Sequence, residues 1–260
     1  MKKNEIRKNV DWKDLKSLSI KEMLIENNIT IPWFVAAIIL AYYEYYLLAL
    51  PFSFFFFLTA LRQVHNGFHK SLGTSKFLTG LSLYLNSILM IVSMRAIKFN
   101  HLRHHKYEMG AEDYEAKPGR MSAIGAILYG PIHIYKIHKV TLEKGTANDR
   151  FHVALELGSV AAFVFTAFYF QIDVAIYHII IMFIGELLSA FFAVWTVHHD
   201  TEEHPHLPRT QRTKWKNKIS FNMFYHLEHH LFPAVPTIKL PELADRIDEA
   251  IPDLLKRSTF

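Results

Sequence analysis

Eight of the 16 histidines in this 260-residue chain fall into three short clusters with helical spacing. We call the clusters the first, second and third boxes, and they are His65 and His69; His101, His104 and His105; and His226, His229 and His230. Residues three or four positions apart share one face of a helix, so each box directs its imidazoles to one side. Adjacent histidines lie about 100° apart around the axis, which lets one helix supply ligands to two neighbouring ions. The boxes therefore predict a paired metal centre.

The residue types alone leave the identity of the metal open. Imidazole binds zinc, copper, iron and nickel well. A single histidine cluster is about as often a structural feature, whereas three clusters with related spacing favour metal binding. The isolated His133 and His138 are expected to be surface residues and not ligands. The chain has no cysteine, which excludes disulfides, thiolate ligands and thiol nucleophiles.

Three other classes of metal protein use histidines differently. A zinc hydrolase commonly carries the pattern His-Glu-x-x-His, which none of the boxes matches, and one zinc ion binds fewer ligands than the boxes offer. A metal transporter, or a haem protein that uses histidines as a relay or as axial ligands, is a further alternative. A transporter should place ionisable groups along a path through the membrane, whereas the boxes lie at the ends of apolar segments.

The composition indicates an integral membrane protein with a large aqueous face. Hydrophobic residues make up 51% of the chain and charged residues 20%, and the two kinds occupy separate blocks. The net charge of +5 does not indicate nucleic acid, because the basic residues lie at the edges of the apolar blocks, where lipid headgroups would be. We therefore expect membrane lipids as partners and no nucleic acid.

The apolar blocks predict four membrane spans in two hairpins. A helix needs about 20 apolar residues to cross the hydrocarbon core, and the predicted spans are residues 31–50, 52–66, 151–170 and 172–197. Pro51 is predicted to turn the first hairpin, and the second turns near Gln171 and Asp173. Three acidic residues fall inside these spans, where an ionisable group has either a functional role or a purely structural hydrogen bond; they are Glu44, Glu156 and Glu186.

Residues 77–97 are apolar enough to span the membrane, yet they separate the first box from the second. One crossing would place these boxes about 30 Å apart, so a shared metal centre requires a re-entrant or interfacial segment. Residues 121–144 mix apolar residues with Lys and His and predict an interfacial helix. Residues 98–150 and 198–260 then form a helical cap. The predicted fold is one all-α integral membrane domain over residues 1–260.

The basic residues predict the orientation in the membrane. No Lys or Arg occurs between Lys21 and Arg62 or between Arg150 and Arg209, so both hairpin tips lack positive charge. By the positive-inside rule, the N-terminus, the C-terminus and the cap lie in the cytoplasm. All three boxes fall on that same side, so the predicted active site is cytoplasmic.

The boxes, the hairpins and the stretch Tyr225-His-Leu-Glu-His-His-Leu-Phe-Pro-Ala-Val-Pro236 resemble the membrane fatty acid desaturase and hydroxylase superfamily. The resemblance covers roughly residues 30–245 and is strongest to short bacterial members near carotenoid ketolases and rhizopine-type oxygenases. It implies that the boxes bind two non-haem iron ions, that dioxygen is a co-substrate, and that an outside carrier supplies electrons.

The resemblance also implies further site residues. Relatives use an additional histidine at the end of the fourth span, and His198 holds that position here, with His199 beside it. Asn222 is a candidate to orient a ligand or to bind through water. Glu228 and Asp200 are candidates to accept hydrogen bonds from imidazole N–H groups, although a solvated helix face explains Glu228 equally well.

The implied activity is oxygen-dependent desaturation. Neutral imidazoles leave most of the metal charge uncompensated, which suits an oxidant able to remove hydrogen from an unactivated C–H bond. Removal of a second hydrogen gives an alkene, so we expect a desaturase acting on a fatty acyl chain or another lipid. A hydroxylase or ketolase acting on a lipid or a small molecule is the alternative. No His-Pro-Gly-Gly haem motif occurs, so we expect a separate ferredoxin or cytochrome donor with its reductase. The basic residues 209–218 are a candidate docking surface for an acidic carrier, although contact with phospholipid explains them equally well.

Overall fold

The computed structural model describes residues 2–260, and this part of the chain is helical with one isolated bridge between Thr210 and Ser258. The α-helices are α1 (Lys3–Asn9), α2 (Ile20–Asn28), α3 (Ile31–Tyr42), α4 (Tyr46–Phe68), α5 (Lys76–Leu89), α6 (Met94–Tyr107), α7 (Ala123–Lys144), α8 (Ala147–Tyr169), α9 (Asp173–Leu187), α10 (Thr196–His198), α11 (Lys214–Ile219), α12 (His226–Leu231) and α13 (Leu240–Ala250). A π-helical turn covers Ala190–Trp195, and 3-10 turns cover Lys13–Lys16, Lys117–Arg120 and Thr237–Lys239. The all-α prediction is confirmed.

Three helices are long and apolar enough to cross a membrane, counting within residues 2–260. They are Ile20–Tyr42, which joins α2 and α3, Tyr46–Phe68 and Ala147–Tyr169. Two bent pairs, α5 with α6 and α9 with the segment that ends in α10, raise the number to five if each pair is one span. These helices are consistent with an integral membrane protein.

The first hairpin turns at residues 43–45, so the predicted turn at Pro51 was wrong. Pro51 lies inside α4, a continuous helix of 23 residues. Proline lacks a backbone donor, but its fixed φ suits a helix, and apolar helices tolerate it when neighbouring groups satisfy the freed carbonyl. Glu44 has a left-handed φ of 62° and is exposed in this turn, so it does not lie within a span as predicted.

Helices α5 and α6 meet at a bend of 112°. Polar groups satisfy the backbone at the break, because the Ser87 hydroxyl accepts a hydrogen bond from the Met94 amide at 3.1 Å. Glu156 on α8 accepts hydrogen bonds from the Ser93 hydroxyl at 2.6 Å and from the Arg95 amide at 2.9 Å. Glu156 therefore has a structural role at the bend. The bend turns the chain back, which is what a re-entrant path over residues 77–97 requires.

The second hairpin joins α8 to α9 through a turn in which Gln171 has a left-handed φ of 52°. Beyond α9, the π-helical turn bends the path by 42° before α10. Helix α7 packs directly against this bend at Gly130, where a side chain would collide with the backbone carbonyl of Leu187. The close approach of the two backbones fixes the direction in which α10 leaves the bundle.

Helix α7 is a continuous helix of 22 residues with one buried face. His133 lies on that face and is only 6% exposed, so the prediction that it is a surface residue was wrong. His138 is half-buried, and its Nε2 accepts a hydrogen bond from the Ser93 amide at 3.3 Å. Both histidines therefore have packing roles in the helix bundle.

The two ends of the chain pack together around α12. A hydrophobic core joins α1, α12 and α13, and its buried members include Ile6, Val10, Leu227, Leu231 and Leu243. Helix α12 carries the third box, so this core holds the box in place.

A buried ion pair links the N-terminal half of the chain to the same region. The guanidinium of Arg62 on α4 donates two hydrogen bonds to Glu26 on α2, at 2.5 and 3.0 Å. Glu26 also accepts from the Asn66 side chain at 3.0 Å and from the Ile238 amide at 2.9 Å. The pair therefore connects α2, α4 and the segment before α13.

Candidate metal centre

Nine histidines from four separate helices converge in two groups. The five-histidine group contains His65, His69, His101, His105 and His229, and the four-histidine group contains His104, His198, His226 and His230. Within each group the candidate ligand atoms all lie within 4.8 Å of one another. The structure thus brings together all eight histidines of the boxes and His198.

Helix periodicity explains how the boxes divide between the groups. The first box, at the end of α4, lies wholly in the five-histidine group. On α6, His101 and His105 are one turn apart and point to the five-histidine group, whereas His104 points to the other. On α12, His229 joins the five-histidine group, and its neighbour His230 joins the four-histidine group. Two helices therefore each serve both groups.

The distances between the imidazoles fit one metal ion in each group. Six pairs of Nε2 atoms lie close together, and each pair falls within a single group: His69–His101 2.9 Å, His101–His105 3.1 Å, His105–His229 2.8 Å, His104–His198 3.0 Å, His104–His230 3.1 Å and His198–His226 2.9 Å. Imidazole nitrogens bind zinc at about 2.0–2.1 Å, so two nitrogens at right angles on such an ion lie about 3 Å apart. Each group therefore offers several imidazole nitrogens to one common point, as a metal site requires.

Two carboxylates orient the second box. The Nδ1 atom of His101 lies 2.8 Å from Glu115 Oε1, and the Nδ1 atom of His104 lies 2.7 Å from Asp113 Oδ2. An Nδ1–H that donates to a carboxylate leaves the Nε2 lone pair free to face a metal. Sequence reasoning missed both carboxylates, although the Asp-x-Glu pattern that follows the second box was an available signal.

Asp113 is held as a carboxylate by its surroundings. Burial by itself would raise its pKa, but the hydrogen bond with His104 and the amides of Ala116 and Met109 lower the pKa to about 2. Those amides donate at 3.0 and 2.8 Å. Asp113 is therefore ionised at neutral pH and stabilises the N–H of His104.

The three histidines of the third box are buried. Burial, together with the neighbouring imidazoles, lowers the pKa values of His226, His229 and His230 well below the usual value for histidine. These imidazoles are therefore neutral at neutral pH, which is the form that binds metal ions.

Neither Glu228 nor Asp200 accepts a hydrogen bond from an imidazole, as had been predicted for both carboxylates. Glu228 is buried, but it lies two residues from both His226 and His230, about 200° around the helix axis, and so faces away from the metal groups. It accepts hydrogen bonds from Thr210 at 2.7 Å and from Arg212 at 2.6 Å. It is thus neither an imidazole partner nor part of a solvated face.

Asp200 and Asn222 lie outside the network of imidazole hydrogen bonds. The Asp200 side chain is 82% exposed and pairs with Arg209 at 3.1 Å. Asn222 has a left-handed φ of 65°, and within residues 2–260 no hydrogen bond joins its side chain to a histidine. The backbone N–H of Asn222 instead donates to the backbone carbonyl of Asn217 at 2.8 Å, and this bond shapes the turn before α12.

The structure distinguishes His198 from His199. His198 is 2% exposed and belongs to the four-histidine group. His199 stacks on Trp195 with ring centroids 4.0 Å apart, and its Nδ1 hydrogen-bonds the Trp195 carbonyl at 2.9 Å. This contact turns its ring away from the groups.

A cavity of about 70 Å³ lies between α4, α6, α7 and residues 186–194. Glu115, the partner of His101, forms part of its wall, and apolar side chains of α4, α6 and α7 form much of the rest. Three wall residues carry buried polar atoms without a hydrogen-bond partner in the described chain: Glu115 Oε2, Glu186 Oε1 and His133 Nδ1. The cavity has room for a few groups the size of water or methylene.

Comparison with known proteins identifies the family. The fatty acid desaturase family model matches residues 42–259, a region that includes α4, the second hairpin, all three boxes and His198. A search of curated proteins found no match to the chain. Because the family match covers most of the sequence and every histidine of the two groups, the chain belongs to the fatty acid desaturase family.

Proposed function

We propose that the protein is a membrane-bound, non-haem di-iron desaturase that uses dioxygen and electrons to introduce a double bond into a fatty acyl chain or another lipid. The observation that carries the proposal is the convergence of nine imidazoles into groups of five and four. The family match supports the same reaction class. Two iron ions held by these groups would supply the activation of dioxygen.

The overall reaction is balanced by electrons from a separate carrier. One C–H bond breaks on each of two adjacent carbons, and a C=C bond forms between them. The two removed hydrogen atoms combine with dioxygen, two electrons and two protons to form two molecules of water. We propose a ferredoxin or cytochrome donor with its reductase. In the basic segment, Arg209 and Arg212 are held in ion pairs, so the exposed Lys214 and Lys218 are the best candidates to contact an acidic carrier.

The residues of the chain orient ligands and shape the reaction space. Asp113 and Glu115 hold the imidazoles of His104 and His101 in one tautomer and one ring orientation. The cavity beside Glu115 offers a largely apolar space in which the reacting part of a substrate can lie next to the five-histidine group.

We also propose a topology of four spans with both termini and the metal centre in the cytoplasm. The spans are the helix ending at Tyr42, α4, α8 and the bent segment from α9 to α10, with α5 and α6 as a re-entrant pair. All boxes meet at one place, which requires them to lie on one side of the membrane. The hairpin tips lack Lys and Arg, in agreement with the positive-inside rule.

The test is turnover by the purified protein. The iron-loaded protein, in lipid nanodiscs with ferredoxin, ferredoxin reductase and NADPH, should consume dioxygen and form lipid products that lack two hydrogens. The His230→Ala variant is the control and should do neither. A product that gains oxygen would identify the protein as a hydroxylase or ketolase instead of a desaturase. If the protein bound only zinc and consumed no oxygen, the result would contradict any oxygenase.

A further inference from the structure

A large groove lies between α5, α6 and α8, on the outer side of the first and second boxes. Its volume is about 630 Å³, and it is open to the outside. Its walls include Lys70, Lys76 and Lys98, together with the apolar residues Phe77, Leu81 and Leu155. The groove therefore has a cationic part, where Lys70 lies close to Lys98, and apolar walls along α5.

The cationic end lacks matching anions. Among residues 2–260, none of Lys70, Lys76 and Lys98 forms an ion pair with a carboxylate, and Lys98 is half-buried. Arg95 also faces this end but is bound to Asp149 at 2.7 Å. A partly buried ammonium group without a counter-ion is costly, so this end of the groove favours binding of an anion.

The carboxylate within the groove does not supply that anion. Glu156 is buried, and its Oε2 accepts hydrogen bonds from the Ser93 hydroxyl and the Arg95 amide. These bonds commit it to the bend between α5 and α6. The three lysines therefore remain available to an external negative group.

Apolar side chains line the groove along α5. Phe77 is 77% exposed, and Leu81 is 42% exposed. At Gly80, a side chain would meet no atom within 4 Å, so the floor is open at this point. An open apolar channel of this kind suits a hydrocarbon chain that lies along the helices.

We propose that this groove is a binding site for an anionic phospholipid, with the phosphate headgroup at Lys70, Lys76 and Lys98 and one acyl chain along α5. Lysines at this level of a membrane protein attract anionic headgroups. The apolar length of the groove favours a lipid over a free phosphate, and its concave shape favours a lipid over an acidic protein. The site does not depend on the proposed oxidation chemistry, because it involves no metal ligand.

Native mass spectrometry of the delipidated protein tests the site. The protein is mixed with equal amounts of phosphatidylglycerol and phosphatidylcholine that carry the same acyl chains. The wild type should retain phosphatidylglycerol preferentially. The Lys70→Gln/Lys98→Gln variant should lose that preference by about tenfold or more, since each lysine near a headgroup changes binding about fivefold. The matched control, Lys13→Gln/Lys16→Gln, removes the same charge from another exposed surface and should behave as the wild type.

A second pair of variants tests the acyl channel without a change in charge. Gly80→Phe fills the floor of the groove and should reduce retention of both lipids, whereas Gly158→Phe, at another helix position with open space, should not. Equal retention of the two lipids by the wild type would overturn the proposal. So would an unchanged preference in the double lysine variant, or full displacement of the lipid by an equal concentration of inorganic phosphate.

Discussion

The Nε2 atoms of His104 and His198 lie 3.0 Å apart, although 94 residues separate them in the chain. His104 comes from α6, the helix after the 112° bend, and His198 from the short helix after the π-helical turn. Their approach requires both distortions of the apolar helices, at α5–α6 and at α9–α10. The convergence of the histidines therefore depends on two irregular features of the bundle and not only on the boxes.

The two metal groups should respond differently to the loss of a ligand. His198→Ala leaves three imidazoles in the four-histidine group, whereas His65→Ala leaves four in the other. We expect purified His198→Ala to hold about one iron per chain and His65→Ala to remain closer to two, as measured by elemental analysis. His199→Ala is the neighbouring control and should keep two irons. Equal iron loss in both ligand variants would contradict this arrangement of groups.

Asp113 and Glu115 should matter for metal affinity although they are not proposed ligands. Asp113→Asn or Glu115→Gln removes the negative partner of an imidazole N–H. Loss of such a partner typically reduces metal affinity or activity by about 10–100-fold. Competition with an iron chelator measures the effect. Glu112→Gln is the control, because Glu112 pairs with Arg103 and Lys144 at the surface, and a loss of affinity there as large as in Asp113→Asn would argue against the assigned role.

The buried pair of Glu26 and Arg62 should be costly to break. Glu26→Gln leaves the guanidinium buried without a counter-charge, which typically destabilises a protein by about 3–5 kcal/mol. Thermal unfolding in detergent should show a large drop for this variant and substantial recovery for Glu26→Leu/Arg62→Met.

The partly exposed pair of Glu22 and Lys239 provides the comparison for that experiment. Lys239→Gln should cost no more than about 1 kcal/mol. If Glu26→Gln unfolded at the same temperature as Lys239→Gln, the link between α2 and α4 would not have the stabilising role that its burial implies.

Asp248 on α13 should make the stability of the cap depend on pH. Burial alone would raise its pKa, but hydrogen bonds from Arg212 and Lys256 lower the pKa below its ordinary value of 3.8. A carboxylate with a lowered pKa stabilises the folded state above the unfolded pKa, and this stabilisation is lost as the pH falls through the folded pKa. The melting temperature of the wild type should exceed that of Asp248→Asn at about pH 6, and the difference should shrink toward about pH 3. A difference that did not change with pH would show that the carboxylate charge is unimportant.

The sequence was sufficient to predict the histidines that meet, because their spacing is a local property of helices. It also predicted that residues 77–97 could not be a simple crossing, since the boxes on either side had to share a site. The 112° bend between α5 and α6 is consistent with a re-entrant path. Periodicity likewise explains why His229 and His230 join different groups.

Features that depend on tertiary contacts were harder to predict. Asp113 and Glu115 reach the second box because Glu108 and Met109 adopt left-handed conformations, with φ of 41° and 65°, that fold the chain back after α6. Glu228 has the right chemistry and is near the right residues in sequence, but its position on α12 directs it to Arg212. Pro51 is a strong turn signal in a soluble protein, yet α4 continues through it.

The most direct test of the account is the metal content of the wild-type protein, purified in detergent after growth with iron and analysed together with its dioxygen consumption. The two histidine groups predict two iron ions per chain and dioxygen uptake that depends on an added electron donor. One metal ion per chain, or zinc with no dioxygen uptake, would contradict the claim that these nine imidazoles form a di-iron centre.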